Sequence, residues 1–168
     1  VENNHVQMLL APVPDKEIKD AMFNIDGRKA PGPDEFSSQF FKDAWDIVGK
    51  DVMVAVKDVF KTGRILKQCT NAIITLIPKI DSPTKVTHFR PIACCSVIYT
   101  CISKIFCGRI GAVLADIIDP SQGAFISGRD IVENILICQD LIKLYKRKKC
   151  SPRCLMKIDL QKAYNSIE

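Results

Sequence analysis

Asp159 is the residue with the clearest chemical potential. It closes the apolar run "LMKI" and precedes "LQKAYNSIE", which reads as the start of a helix. A carboxylate at the C-terminal end of an apolar strand stands where α/β sheets commonly present ligands. As a hard oxygen donor it suits Mg²⁺, which keeps several waters and also binds substrate phosphates. The same position suits a cap for the helix beginning near Leu160, and the residues alone leave both roles open. Metal sites are rarely built from one carboxylate. Asp116, Asp119 and Asp130 read as caps or surface groups at helix boundaries, not as partners.

Two cations form a second constellation. Lys79 ends the run "LIPK" and Arg90 opens "FRPI", with the polar, turn-rich "DSPTKVTH" between them. Strands on either side of that turn would bring both charges to one side of a hairpin. There the ammonium and the guanidinium fork can hold a triphosphate. Each is also compatible with a solvated surface charge. The run "KLYKRKK" adds Lys146 and Arg147 as candidate contacts to a nucleic-acid backbone, with Tyr145 available for stacking. A solvated helix end carrying cations against the C-terminal dipole explains the same residues.

The chain has 8 cysteines and 2 histidines, with no Cys-x-x-Cys pair, and His5 lies far from His88. That spacing argues against a zinc module, and we expect a reduced, intracellular protein. Cys95, Cys101 and Cys107 fall in an apolar helical run and are expected as small core residues. At 168 residues with 47% hydrophobic content, the chain can bury a core. A net charge of +5 is compatible with a polyanionic partner. We expect no membrane span and no leader peptide. Opening on Val1 and closing within an element, the chain reads as part of a longer protein.

The elements that must position these groups follow from periodicity and punctuation. Ile18, Met22 and Ile25 share one face of a helix over Asp15–Asp26. The loop "RKAPGPDEF" is stiffened by Pro31 and Pro33, and Asp34 is the expected cap of the next helix. Phe36, Phe40, Phe41, Trp45 and Val48 mark that short aromatic helix, which Gly49 separates from a helix over Lys50–Lys61 closed by Gly63. "NAIITLIPK" reads as a buried strand and "FRPI" as its hairpin partner. A helix spans Ser96–Ile118. Another starts at Asp130 or the residue before it and runs through Lys149, with Ile131, Ile135, Leu136, Cys138, Leu141, Ile142 and Tyr145 facing inward. A final strand covers Cys154–Ile158. Helices flanking a few strands define a mixed α/β (α+β) class.

In order, "RKAPGPDEF", "LIPK", "FRPIACCSVIYTCISKIF", "SQGAFISGRDIVENIL" and "RCLMKIDLQKAYNSIE" resemble successive blocks of the reverse transcriptases of plant LINE-type (non-LTR) retrotransposons. The resemblance runs from about Val13 to Glu168. It implies helix-rich fingers with a β-hairpin over residues 1–152 and the first strand of a polymerase palm over 153–168. It also implies RNA-directed DNA polymerase chemistry, with an RNA template, a DNA primer, deoxynucleoside triphosphates and a pair of Mg²⁺ ions. Asp159, with the carbonyl of Leu160, matches the first metal-holding position. Tyr164 matches the aromatic gate under the incoming sugar, and Lys79 and Arg90 match the cations on its triphosphate. Gln122, Phe125 and Arg129 match a block that supports the template or the nucleotide pocket; Phe125 is equally a core residue.

The remaining catalytic aspartates of such a site, with the rest of the palm and the thumb, are expected beyond Glu168. We therefore expect this piece to be inactive alone. Two departures from the pattern stand out. Asn165 replaces a common aspartate, and Glu35 replaces the glycine of "PGPDG", which would strain the loop if that position has a positive φ. The rival expectation is a non-catalytic nucleic-acid-binding remnant.

Overall fold

In the computed structural model, residues 3–119, 122–123, 126–143, 145 and 156 are described. Their elements are α1 (Asn3–Leu10), α2 (Asp15–Phe23), α3 (Ser38–Asp43), α4 (Trp45–Thr62), α5 (Lys67–Thr70), β1 (Ala72–Pro78), β2 (Phe89–Cys95), α6 (Val97–Ile117) and α7 (Ile131–Lys143). This is the mixed α/β class the sequence predicts, its strands forming an antiparallel two-stranded sheet. The chain divides into two units, Val1–Ile118 and Asp119–Glu168.

The core of the first unit is helical. On α2 the spacing of Ile18, Ala21 and Met22 puts three buried side chains on one face, and Ile25 continues it past the helix end. They meet Trp45, Val52 and Val56 of α4 and Val97, Cys101, Ile102 and Ile105 of α6. Burying a side chain the size of Ile18 or Met22 contributes roughly 1.5–3 kcal/mol. α6 is long and apolar enough to cross a membrane, contrary to the sequence expectation. Its buried residues Val97, Cys101, Ile102 and Ile105 belong to this core.

Several local expectations are corrected. Gly49 does not break the chain; it is buried within α4, where an added Cβ would lie 2.9 Å from Cε2 of Trp45. The glycine lets the indole lie flat on the helix one turn away. The cap of α3 is Ser37, not Asp34: its hydroxyl accepts from the Phe40 N–H at 3.3 Å. Gly63 closes α4 in the left-handed conformation, as expected. Of the three cysteines expected in one helical run, Cys95 is instead the half-buried last residue of β2, while on α6 Cys101 is buried and Cys107 exposed, because a six-residue spacing rotates around a helix instead of holding one face.

β1 was expected to be buried, yet every residue of it is exposed. It belongs to a two-stranded ribbon, which has no inner layer of its own. In the second unit Asp130 starts α7 as expected, its carboxylate accepting from the Val132 N–H at 2.9 Å. The residues expected to face inward, Ile131, Ile135, Leu136, Cys138, Leu141, Ile142 and Tyr145, are all exposed. Glu133 and Asp140 mark a polar side of α7, but the apolar residues opposite it are not buried. Of the palm strand expected over Cys154–Ile158, Met156 is described; it is exposed and belongs to no strand.

Candidate functional site

The hairpin is set by its register. Ala72 faces Cys95 at the root, Ile77 faces Arg90 near the tip, and Pro78 faces Phe89. Beyond the strand the Lys79 N–H donates to the His88 carbonyl at 2.7 Å, extending the ladder. Hydrogen-bonded pairs alternate with non-bonded ones, so Ile77–Arg90, Thr75–Ile92 and Ile73–Cys94 are bonded pairs. Pro78 and Pro91 therefore both fall in non-bonded pairs, where a backbone N–H would point away from the partner strand. Neither proline interrupts the ladder.

Cross-strand partners share a face. Ile73, Thr75 and Ile77 thus lie on one side with Arg90, Ile92 and Cys94. The alternation carried one step past the strand sets Lys79 diagonally beside Arg90 on that side. The Lys79 ammonium donates to the Thr87 carbonyl at 3.0 Å, and Arg90 is exposed. The loop between them is knitted by His88. Its Nδ1 accepts from the Thr84 N–H at 3.2 Å and its own N–H donates to the Lys85 carbonyl at 2.9 Å. The expected hairpin is present, and its register carries both cations at its tip end.

At the root, the two strands, α6 and the "APGP" loop converge on Ser96, which is 2% exposed. Its hydroxyl donates to the Cys69 carbonyl at 3.0 Å, just before β1, and accepts from the Tyr99 N–H at 3.3 Å as the cap of α6. Its carbonyl accepts from the backbone N–H and the hydroxyl of Thr100, each at 3.0 Å. Gly32 rests on this junction so closely that a Cβ would lie 2.5 Å from the Ser96 nitrogen. A cleft of about 420 Å³ opens beside it, floored by Ile25, Ile92 and Val97 and edged by Lys29, Tyr99 and the hydroxyl residues Ser38, Thr100 and Ser103.

The suspicion attached to Glu35 is correct: its φ is 60°, the left-handed region. The Glu35 N–H donates to the Gly32 carbonyl at 3.0 Å, so the strained residue closes the turn that lays Gly32 on Ser96.

Sequence reasoning missed Arg109, although a lone cation within the apolar run "IFCGRIGAV" is a visible signal. Its side chain is 10% exposed and pairs with Glu17. It also donates to the carbonyls of Leu9, Ala11 and Pro12 and lies 5.7 Å from the Phe60 ring centre. The Glu17 carboxylate holds the guanidinium pKa above its ordinary value. Ser96 was missed too, since nothing in "CCSVIY" marks that serine beyond its place before a helix.

In the second unit Arg129 folds back on its own loop, donating to the carbonyls of Asp119 at 2.7 Å and Gln122 at 3.0 Å. Gln122 and Arg129 are thereby brought together. Phe125, Lys146, Arg147, Asp159, Leu160 and Tyr164 lie outside the described residues. Among the described residues, no group of three or more His, Cys, Asp or Glu side chains is arranged to hold a metal ion.

A family model described as reverse transcriptase (RNA-dependent DNA polymerase) matches residues 77–168, more than half of the chain. The chain belongs to that family. It is also 27% identical, over its 168 residues, to the "Transposon TX1 uncharacterized 149 kDa protein" of Xenopus laevis. It spans 13% of that protein's length.

Proposed function

We propose that this chain is the fingers and the start of the palm of an RNA-directed DNA polymerase from a non-LTR retrotransposon of the plant LINE type, the palm beginning near residue 153. Lys79 and Arg90 grip the triphosphate of an incoming deoxynucleotide. Asp159, with the Leu160 carbonyl, would hold Mg²⁺, which neutralises charge on the transferring phosphates. Tyr164 gates the sugar, while Gln122, Arg129, Lys146 and Arg147 serve the template. A single carboxylate does not hold an ion pair, so further acids would come from the rest of a longer polypeptide. Its RNA template, DNA primer and intracellular setting belong to the same proposal.

One observation supports the reading: in a reverse-transcriptase-family chain the hairpin carries Lys79 just past the end of β1 and Arg90 near the start of β2, both at its tip end. A guanidinium and an ammonium so arranged complement a polyphosphate. The test is primer extension by a polymerase-competent protein containing this chain. Asp159→Ala should abolish extension and leave template binding intact, Arg90→Gln should raise the nucleotide KM, and Tyr164→Ala should admit ribonucleotides. Extension retained by Asp159→Ala would refute the catalytic part.

The strained Glu35 favours a second reading, a nucleic-acid-binding remnant without chemistry. An unstrained glycine at that φ would be expected where function still selects for the loop. Template binding without extension by that longer protein would establish the remnant.

A further inference from the structure

Lys79 and Arg90 can act together only if the ribbon carrying them leaves the helical body at a fixed angle, and its ladder is seven pairs long from root to tip. Between Ala72 and Pro78 every residue of β1 is exposed, so packing along the strand holds it loosely. The fixed point is the root. There one buried hydroxyl ties the carbonyl before β1 to the first turn of the helix after β2. Gly32 closes over the same residue from the side, with room for no side chain of its own.

We propose that Ser96, clamped by Gly32, is a positioning residue for the two cations: it sets the direction in which the hairpin points. This rests on the triphosphate reading of Lys79 and Arg90. Two ties of different direction run through one side chain. Removing it frees the Cys69 carbonyl and the Tyr99 N–H together and lets the strands pivot at Cys95. The cations keep their chemistry but lose their shared aim. The "APGPDE" loop gains a role from this, as the element that prevents Ser96 from swinging out.

The substitutions Ser96→Gly and Ser96→Ala separate positioning from bare stability. Glycine is tolerated at a helix N-cap nearly as well as serine, whereas alanine is not. Both delete the tie to Cys69. The experiment titrates deoxyadenosine triphosphate into the 168-residue chain and its variants by calorimetry, well below their melting temperatures. We expect Ser96→Gly and Ser96→Ala to weaken binding alike, about fivefold for one lost hydrogen bond, although Ser96→Ala melts lower. Ser96→Thr, which keeps the hydroxyl, restores affinity. Residual dipolar couplings of the β1 and β2 amides should change relative to those of α4 in Ser96→Gly.

Arg90→Gln is the control for the underlying reading. If it binds the triphosphate as the parent does, the triphosphate grip is overturned. If Arg90→Gln weakens binding while Ser96→Gly binds as the parent with unchanged couplings, the grip stands and the positioning role is overturned. Affinity losses that follow melting temperature, with Ser96→Ala worse than Ser96→Gly, would also overturn it.

Discussion

Arg109 of α6 and Glu17 of α2 meet through two parallel hydrogen bonds, Nε to Oε1 at 2.9 Å and Nη2 to Oε2 at 2.8 Å. The same guanidinium gathers the carbonyls that end α1 and lead into α2, so one side chain fastens three elements. Arg109→Met keeps much of the stem but strands the carboxylate and those carbonyls. We expect it to cost about 2–3 kcal/mol by urea denaturation, at the low end for a buried pair because Glu17 is partly solvated. Glu17→Gln, which retains a hydrogen-bond acceptor, should cost less.

Glu35 offers the opposite experiment. A left-handed non-glycine residue costs roughly 1–2 kcal/mol. Glu35→Gly should therefore raise stability by about 1 kcal/mol, less than the full strain because glycine also loosens the unfolded chain. Glu35→Ala, which removes the same carboxylate but keeps a Cβ, should give no such gain. Equal stabilisation by both would show that charge, not backbone strain, is the cause.

At Gly49 the prediction is steric. Alanine there would press a methyl group onto the Trp45 indole inside a packed face. Helix propensity alone would favour alanine by up to about 1 kcal/mol. Overpacking costs typically about 1–3 kcal/mol and should win, so Gly49→Ala lowers the melting temperature. Tryptophan fluorescence should shift with it, since Trp45 is the chain's single tryptophan.

Cys101 is buried against the Ile18 carbonyl, and desolvation pushes its thiol pKa up to about 11. Iodoacetamide at about pH 8 should modify exposed Cys107 and spare Cys101 until the fold opens, read by peptide mass mapping. The folded pKa lies above the ordinary value of 9.0, so this group's contribution to stability is complete below about pH 9. It is then lost as pH rises through about 11.

Local punctuation in the sequence revealed the hairpin and the α2 face, because proline, a polar turn and a three-to-four spacing act within a few residues. "LIPK" and "FRPI" marked the two strands and the cation at the tip end of each. The strain at Glu35 was legible from one departure in a motif. What failed depended on contacts distant in sequence. Gly49 reads as a break unless Trp45 is seen lying on it, and Ser96 is an ordinary cap until Cys69 and Gly32 arrive from elsewhere. β1 and α7 were placed inside because their apolar content was read as burial, while composition alone does not supply the layer that would cover them.

The prolines of the ribbon have a consequence for assembly. Pro78 and Pro91 each remove an outward donor, one from each rim of the two-stranded sheet. A third strand zipping onto either rim would meet a carbonyl with no amide to answer it. Both borders are therefore poor templates for intermolecular β-sheet growth despite their greasy neighbours, and a partner of this hairpin is steered toward its broad surfaces.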